Sequence, residues 1–268
     1  MKAPASLGLT LGLIALFYAC SISPYRATNR VYKKQARAFG KSISRYPLAD
    51  SFATRFVGTT NFSMRRPSLV VLHHTAQNST AQTISTFTTP RTAVSSHYVV
   101  GRDGQVVHML NDYLRGHHAG ASSWGGATDL NSSSLGIEID NNGSEPFSEA
   151  QISAVIELLG YLKKAFGIQR KHFVGHADIA PGRKVDPSRY FPWQRLAEAG
   201  YGLWYDTTAI EVPAGFDALM GLRLIGYDIS KPRAAIQSYK IHYVPQDTTL
   251  QLGPADHKII YSLMKQSL

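Results

Sequence analysis

The sequence predicts an α/β domain, a mixed central sheet flanked by helices, followed by a small all-α segment. Three observations carry that expectation. Short β-rich apolar runs recur from Ser68 onward, separated by turn residues. One long helical pattern lies between two of those runs, which is the order of a βαβ unit. The last sixty residues return to helical spacing with no strand pattern between. The chain of 268 residues is 44% hydrophobic, enough for a real core, and its length suits one large domain or two ordinary ones.

The elements follow in order. SLVVLHHT (68–75) is an apolar strand ending in two histidines. SSHYVV (95–100) and QVVHML (105–110) flank Gly101-Arg102-Asp103-Gly104, which suits a hairpin with a four-residue loop. In SLGIEID (134–140), Leu135, Ile137 and Ile139 face one way, and Gly136, Glu138 and Asp140 the other. Ser148 then caps a helix, with Gln151 three residues on and Phe147 placed to staple onto Ile152. Ile152, Val155, Ile156, Leu159, Leu162 and Phe166 recur at helical spacing until Gly167 closes it. HFVG (172–175) is the next strand, expected parallel to 135–139. FPWQRL (191–196) starts a closing helix. In the tail, Phe216, Leu219, Leu222, Leu224 and Ile225 precede Gly226 at helical spacing, and HKIIYSLMKQSL ends the chain as an amphipathic helix. The predicted organisation is a leader (1–20), a basic tether (21–50), the α/β domain (51–204) and the helical segment (207–268).

The net charge of +10 suggests nucleic acid only until it is mapped. Residues 1–66 hold eleven Lys/Arg and one acid, whereas residues 67–268 hold seventeen of each sign. A neutral body excludes a nucleic-acid binder that works through a basic fold surface. Lys2 followed by LGLTLGLIALFYAC reads as an export signal, too short for a comfortable membrane span. The only cysteine, Cys20, ends that run, so no internal disulfide is available. The arrangement resembles a bacterial lipoprotein signal in which Cys20 is lipidated, and Ser21 resembles outer-membrane sorting, facing the periplasm. An ordinary signal with an incidental Cys is the other reading. The tether that follows is either a solvated linker or a polybasic partner for an anionic surface.

The chemistry lies elsewhere. H-E-x-x-H, CxxC, G-x-S-x-G and a phosphate-binding glycine loop are all absent. A hydrolase here needs either a carboxylate pair or a metal held by His and carboxylate. His73, Glu138 and His176 each stand at or near the carboxyl end of a predicted strand, the edge at which α/β sheets assemble sites. His176 and Asp186 on one loop offer two zinc ligands, and either His73 or His74 a third, since neighbours on a strand face opposite sides.

HHTA (73–76), SSHYVV (95–100), LGIEIDNNG (135–143) and VGHADIAPGRKVDP (174–187) together resemble the zinc-dependent N-acetylmuramoyl-L-alanine amidases of amidase type 2. The likeness runs from about Ser68 to Trp204. It implies one Zn²⁺ held by His73, His176 and Asp186, with Asp186 where some relatives carry Cys. It implies Glu138 as catalytic acid and base, and Lys184 as the positive charge beside the metal. His97 and His118 match positions near the substrate cleft, where each could instead be a packing residue. His74, Asp140 and Asp178 are left with structural roles. The implied partners are peptidoglycan and muropeptides, with the membrane reached through Cys20, no nucleic acid, and a monomeric chain. Residues 207–268 resemble weakly a three-helix peptidoglycan-binding module; a plain helical cap is the alternative. The competing readings are a non-catalytic peptidoglycan binder on the same fold, a basic nucleic-acid binder and a purely structural envelope lipoprotein.

Overall fold

The computed structural model describes residues 23–43 and 58–268. The expected leader and Cys20 lie outside the described residues, as does part of the tether. The chain divides into two compact units that meet at Thr60 and Asn61. Among its described residues the first contains one helix, α1 (Arg26–Ile43), none of whose residues is buried. The sequence analysis reads this segment as part of a basic tether, because its Arg and Lys content masks a thin apolar stripe that includes the small Ala36 and the half-polar Tyr32.

The second unit is built on a five-stranded sheet. Its strands are β1 (Leu69–His74), β2 (Tyr98–Val100), β3 (Val106–His108), β6 (Ser134–Ile139) and β7 (Phe173–Gly175), ordered β3-β2-β6-β1-β7. A separate hairpin pairs β4 (Ser123–Trp124) with β5 (Ala127–Thr128). The sheet is mixed as expected: β3 is antiparallel to β2, and every other pairing is parallel. One detail differs from the sequence reading: the β2–β3 loop spans residues 101–105, because Val100 pairs with Val106. Strands β6 and β7 are parallel as expected, with β1 between them and bonded to both.

Side-chain alternation splits the sheet into two faces. Val70, Leu72, Leu135, Ile137, Ile139 and Phe173 join the main core under α4 (Glu149–Phe166). Leu69, Val71 and Val174 face the other way, toward Ala119, Leu130 and Ile179. Helix α4 has the cap the sequence promised: Ser148 Oγ accepts from the Gln151 amide at 3.2 Å, and Gln151 Oε1 from the Ser148 amide at 3.0 Å. Gly167 closes it at φ 67°, a left-handed geometry that costs glycine little.

The shorter helices are α2 (Thr80–Thr88), α3 (Leu130–Ser133), α5 (His176–Ile179) and α6 (Trp193–Glu198). Three more, α7 (Ala218–Ile225), α8 (Pro232–Tyr243) and α9 (Pro254–Ser267), enclose a cluster of their own around Leu222, Tyr239, Ile260 and Leu263. The central helix of that trio is absent from the sequence reading. Its buried side includes Ser238, Lys240 and His242, so no clean apolar stripe announces it.

Candidate active site

The site forms on the face of the sheet opposite α4. His73 follows Leu69 and Val71 at even spacing along β1, so it points to that face, while His74 points to the other. In the parallel β1–β6 ladder His73 is the register partner of Glu138. Register partners on adjacent strands project to the same side, which sets imidazole beside carboxyl at the carboxyl edge of the sheet. His176 is the first residue of α5, directly after β7. The loop then turns at Gly182 (φ 75°) and returns Asp186, whose carbonyl accepts from the Ala177 amide at 2.7 Å.

Three side chains meet there. His73 Nδ1 lies 2.9 Å from His176 Nδ1 and 3.2 Å from Asp186 Oδ2, and His176 Nδ1 lies 3.0 Å from that same oxygen. All three residues are buried. The surrounding hydrogen bonds assign the imidazole protons. Ser134 Oγ donates to the Leu130 carbonyl, so it accepts from His118 Nε2 at 3.2 Å. That leaves His118 Nδ1 to accept from His73 Nε2 at 3.1 Å. His176 Nε2 donates to the Ala119 carbonyl at 3.1 Å. Both Nδ1 atoms are thereby left as lone pairs, facing each other and a carboxylate oxygen.

Three such acceptors repel at these distances unless a cation or a shared proton lies among them. Ligand atoms of a tetrahedral zinc ion with bonds of ~2.1 Å stand about 3.4 Å apart, close to the spacing found here. Two imidazoles and a carboxylate are also the donor set that ion takes in hydrolases. The residues fit a divalent metal, and among the described residues this is the group placed to hold one. Burial, then the neighbouring His176 ring, pushes the His73 imidazole down to about 4, so it stays neutral and ready to ligate at physiological pH.

Glu138 and Lys184 line the same cavity, of about 410 Å³, with His118, Arg183, Gln77 and Phe87 among the other walls. Burial and then the Asp186 charge push the Glu138 carboxyl up to about 8, against the opposing pull of Lys184. His97 lies outside that lining. Its Nδ1 accepts from the Gly136 amide, and its Nε2 lies against the Leu114 carbonyl and Arg65 Nη2, each at 3.1 Å, so both ring nitrogens are engaged. His118 does reach the cavity, but its ring is engaged on both sides by His73 and Ser134.

The three polar residues left with structural roles have identifiable partners. His74 Nδ1 accepts from the Ser188 amide at 3.1 Å, and Asp140 accepts from Thr80 Oγ1 at 2.7 Å. Asp178 has the most. It accepts from the Gly175 amide at 2.7 Å, His242 Nδ1 at 2.7 Å and the Tyr227 hydroxyl at 2.8 Å. Sequence reasoning missed Ser134, whose hydroxyl fixes the His118 tautomer. It also missed Asn131, whose Oδ1 accepts from the His118 and Ala119 amides at 3.0 and 2.9 Å. An asparagine in a one-turn helix and a serine at the start of a strand carry no spacing signal of their own.

Comparison with known proteins identifies the family. Residues 63–189 match the family model described as N-acetylmuramoyl-L-alanine amidase. The amidase AmiD of Escherichia coli is 33% identical over 223 residues, covering 71% of this chain and 79% of that protein. The chain belongs to the amidase type 2 family of N-acetylmuramoyl-L-alanine amidases. The 1,6-anhydro-N-acetylmuramyl-L-alanine amidase AmpD of Haemophilus influenzae is 37% identical over 103 residues, 38% of this chain and 56% of that one. Among solved structures, E. coli AmiD in complex with anhydro-N-acetylmuramic acid-L-Ala-D-γ-Glu-L-Lys is similar at a TM-score of 0.68 and 29% identity, covering 78% of this chain and 93% of that one. AmpDh3 of Pseudomonas aeruginosa is similar at 0.69 and 28%, covering 82% and 99%. Both structural matches extend well beyond the 63–189 region, so this amidase shares more with them than the family core.

Proposed function

We propose that this amidase is zinc-dependent and hydrolyses the amide joining the lactyl group of N-acetylmuramic acid to the L-alanine of the peptidoglycan stem peptide. The observation that carries the reading is the meeting of His73 Nδ1, His176 Nδ1 and Asp186 Oδ2 within 3.2 Å, with Glu138 in register beside His73. When bound, zinc polarises a carbonyl and lowers the pKa of water toward ~7. Glu138 takes the proton of the attacking water and delivers it to the nitrogen of L-alanine as the carbon–nitrogen bond breaks. Lys184 offsets the negative charge that develops on the carbonyl oxygen. The products are a lactyl carboxylate and a stem peptide with a free amino terminus. A cation at Asp186 cancels part of the field that raises Glu138, and so returns that carboxyl toward the ionised form a base requires.

His118 and Ser134 serve as positioning residues that hold His73 in its ligating tautomer, and His97 as a packing residue between β2 and β6. The helical trio α7–α9 braces the metal loop from behind, through His242 and Tyr227 on Asp178 and through Ser238 Oγ on the Ala177 carbonyl at 2.7 Å. In the cell the enzyme is a monomeric outer-membrane lipoprotein acylated at Cys20 and facing the periplasm, where it acts in wall turnover.

Digestion of purified sacculi and muropeptides, with and without chelator and read by mass spectrometry, tests the activity. Free stem peptides should appear only without chelator; release that chelator leaves untouched rejects the zinc reading. Glu138→Ala should keep stoichiometric zinc and lose turnover by about 10²-fold or more. Asp186→Ala should lose zinc and turnover together.

A further inference from the structure

Helix α1 has a surface that the amidase reaction does not use. Its six cations, Arg26, Arg30, Lys33, Lys34, Arg37 and Lys41, recur at helical spacing, and the segment contains no acid. At 3.6 residues per turn they fall within a sector of about 100°. On the other side Tyr32, Ala36, Phe39 and Ile43 repeat at i, i+4, i+7 and i+11, the spacing of a continuous apolar stripe. Val31, Phe39 and Ile43 are 55%, 57% and 80% exposed. No residue of α1 is buried, so the outer part of its apolar stripe, Phe39 and Ile43, faces water at a cost that a partner would remove.

We infer that α1 is an in-plane membrane helix that docks on an anionic phospholipid surface, with Tyr32, Phe39 and Ile43 in the headgroup boundary and the cations at the lipid phosphates. A nucleic acid or another soluble polyanion would meet the cations and leave the apolar stripe exposed. A bilayer interface satisfies both stripes at once. No helix among the described residues is long and apolar enough to cross a membrane, so α1 lies on the surface and does not span it. Cys20 lies six positions before Arg26, a reach of at most about 20 Å. An acylated Cys20 and α1 would therefore engage one surface, and α1 would still bind that surface without acylation.

The test uses residues 21–268, which contain every described residue of both units and lack the apolar leader. Co-sedimentation with vesicles of phosphatidylcholine alone is compared with vesicles that also contain phosphatidylglycerol. Binding should be at least about tenfold tighter on the anionic vesicles, and should weaken as salt is added. A chain with Arg30→Ser, Lys33→Ser, Lys34→Ser and Arg37→Ser should lose that preference. A chain with Phe39→Ser and Ile43→Ser should bind anionic vesicles about tenfold more weakly. Hydrolysis of soluble muropeptide should be the same in all three proteins, which separates this inference from the amidase reading. Equal binding to both vesicle types overturns the inference. So does undiminished vesicle binding by the Phe39/Ile43 chain, tighter binding to duplex DNA than to anionic vesicles, or a dimer that forms through α1 and leaves vesicles unbound.

Discussion

In the proposed zinc site His73 would coordinate through Nδ1, because its other nitrogen is already committed. The commitment passes from His73 Nε2 to His118, from His118 Nε2 to Ser134, and from Ser134 to the Leu130 carbonyl. Partners behind a ligand of this kind typically change metal affinity 10–100-fold. His118→Ala should accordingly lower zinc affinity by about that range, measured by competition with a chromogenic chelator, with Ser134→Ala falling between it and the native protein. An unchanged affinity in His118→Ala would show that the chain of donors does not set the tautomer. Glu138 gives a second prediction. Its carboxyl sits near 8 because burial and the Asp186 charge both disfavour the ionised form. A folded-state value above the unfolded one means that the metal-free protein loses stability as pH rises from about 4.5 toward 8. Glu138→Gln should therefore stabilise the metal-free protein at pH 8, by about 1–3 kcal/mol, and have little effect at pH 4.5. Urea denaturation at the two pH values reads the difference. With zinc loaded, the carboxyl should titrate lower, visible in its infrared band.

At the scale of elements, what the sequence disclosed depended on whether a segment's burial pattern is clean. Helix α4 has an apolar stripe, a capping box and a closing glycine, and each is legible in one dimension. The strand ends bearing His73, Glu138 and His176 were legible for the same reason, since each closes an apolar run. Helix α8 was not, because it buries a serine, a lysine and a histidine against polar partners that are distant in sequence. The insertion of β1 between β6 and β7 was equally hidden: proximity along the chain favours direct pairing of the two later strands, and only the completed sheet selects otherwise. The ligand pair on one loop could be read from His176 and Asp186, but the partners of Asp178 could not. His242 lies against it with its ring between Trp193, at 3.9 Å between centroids, and Tyr243, at 4.0 Å. His242→Ala leaves a buried carboxylate short of a donor and opens a gap between two rings. It should cost about 2–4 kcal/mol of stability in urea and weaken zinc binding, because Asp178 also holds the backbone from which His176 projects. Stability equal to the native protein's would show that α8 does not brace the loop.

Across the whole molecule, charge and chemistry are divided between the two units. The second carries nineteen Lys/Arg against seventeen acids, the sheet and the candidate metal group; among its described residues the first carries one cationic helix with no acid within it. An enzyme arranged this way can alter where it is held without altering what it cuts. The position of β1 has a further consequence. Like β6, it is hydrogen-bonded to parallel neighbours on both sides, and its last residues carry His73. Backbone amides held in two ladders at the middle of a core open only when the domain itself opens. Hydrogen exchange should find the amides of Val70, Val71 and Leu72 among the slowest in the chain, and chelation should leave them slow while the loop around Lys184 quickens. If those amides stay slow without the ion, the pocket around His73 is built by the chain alone, and metal would leave and return to a protein that stays folded throughout.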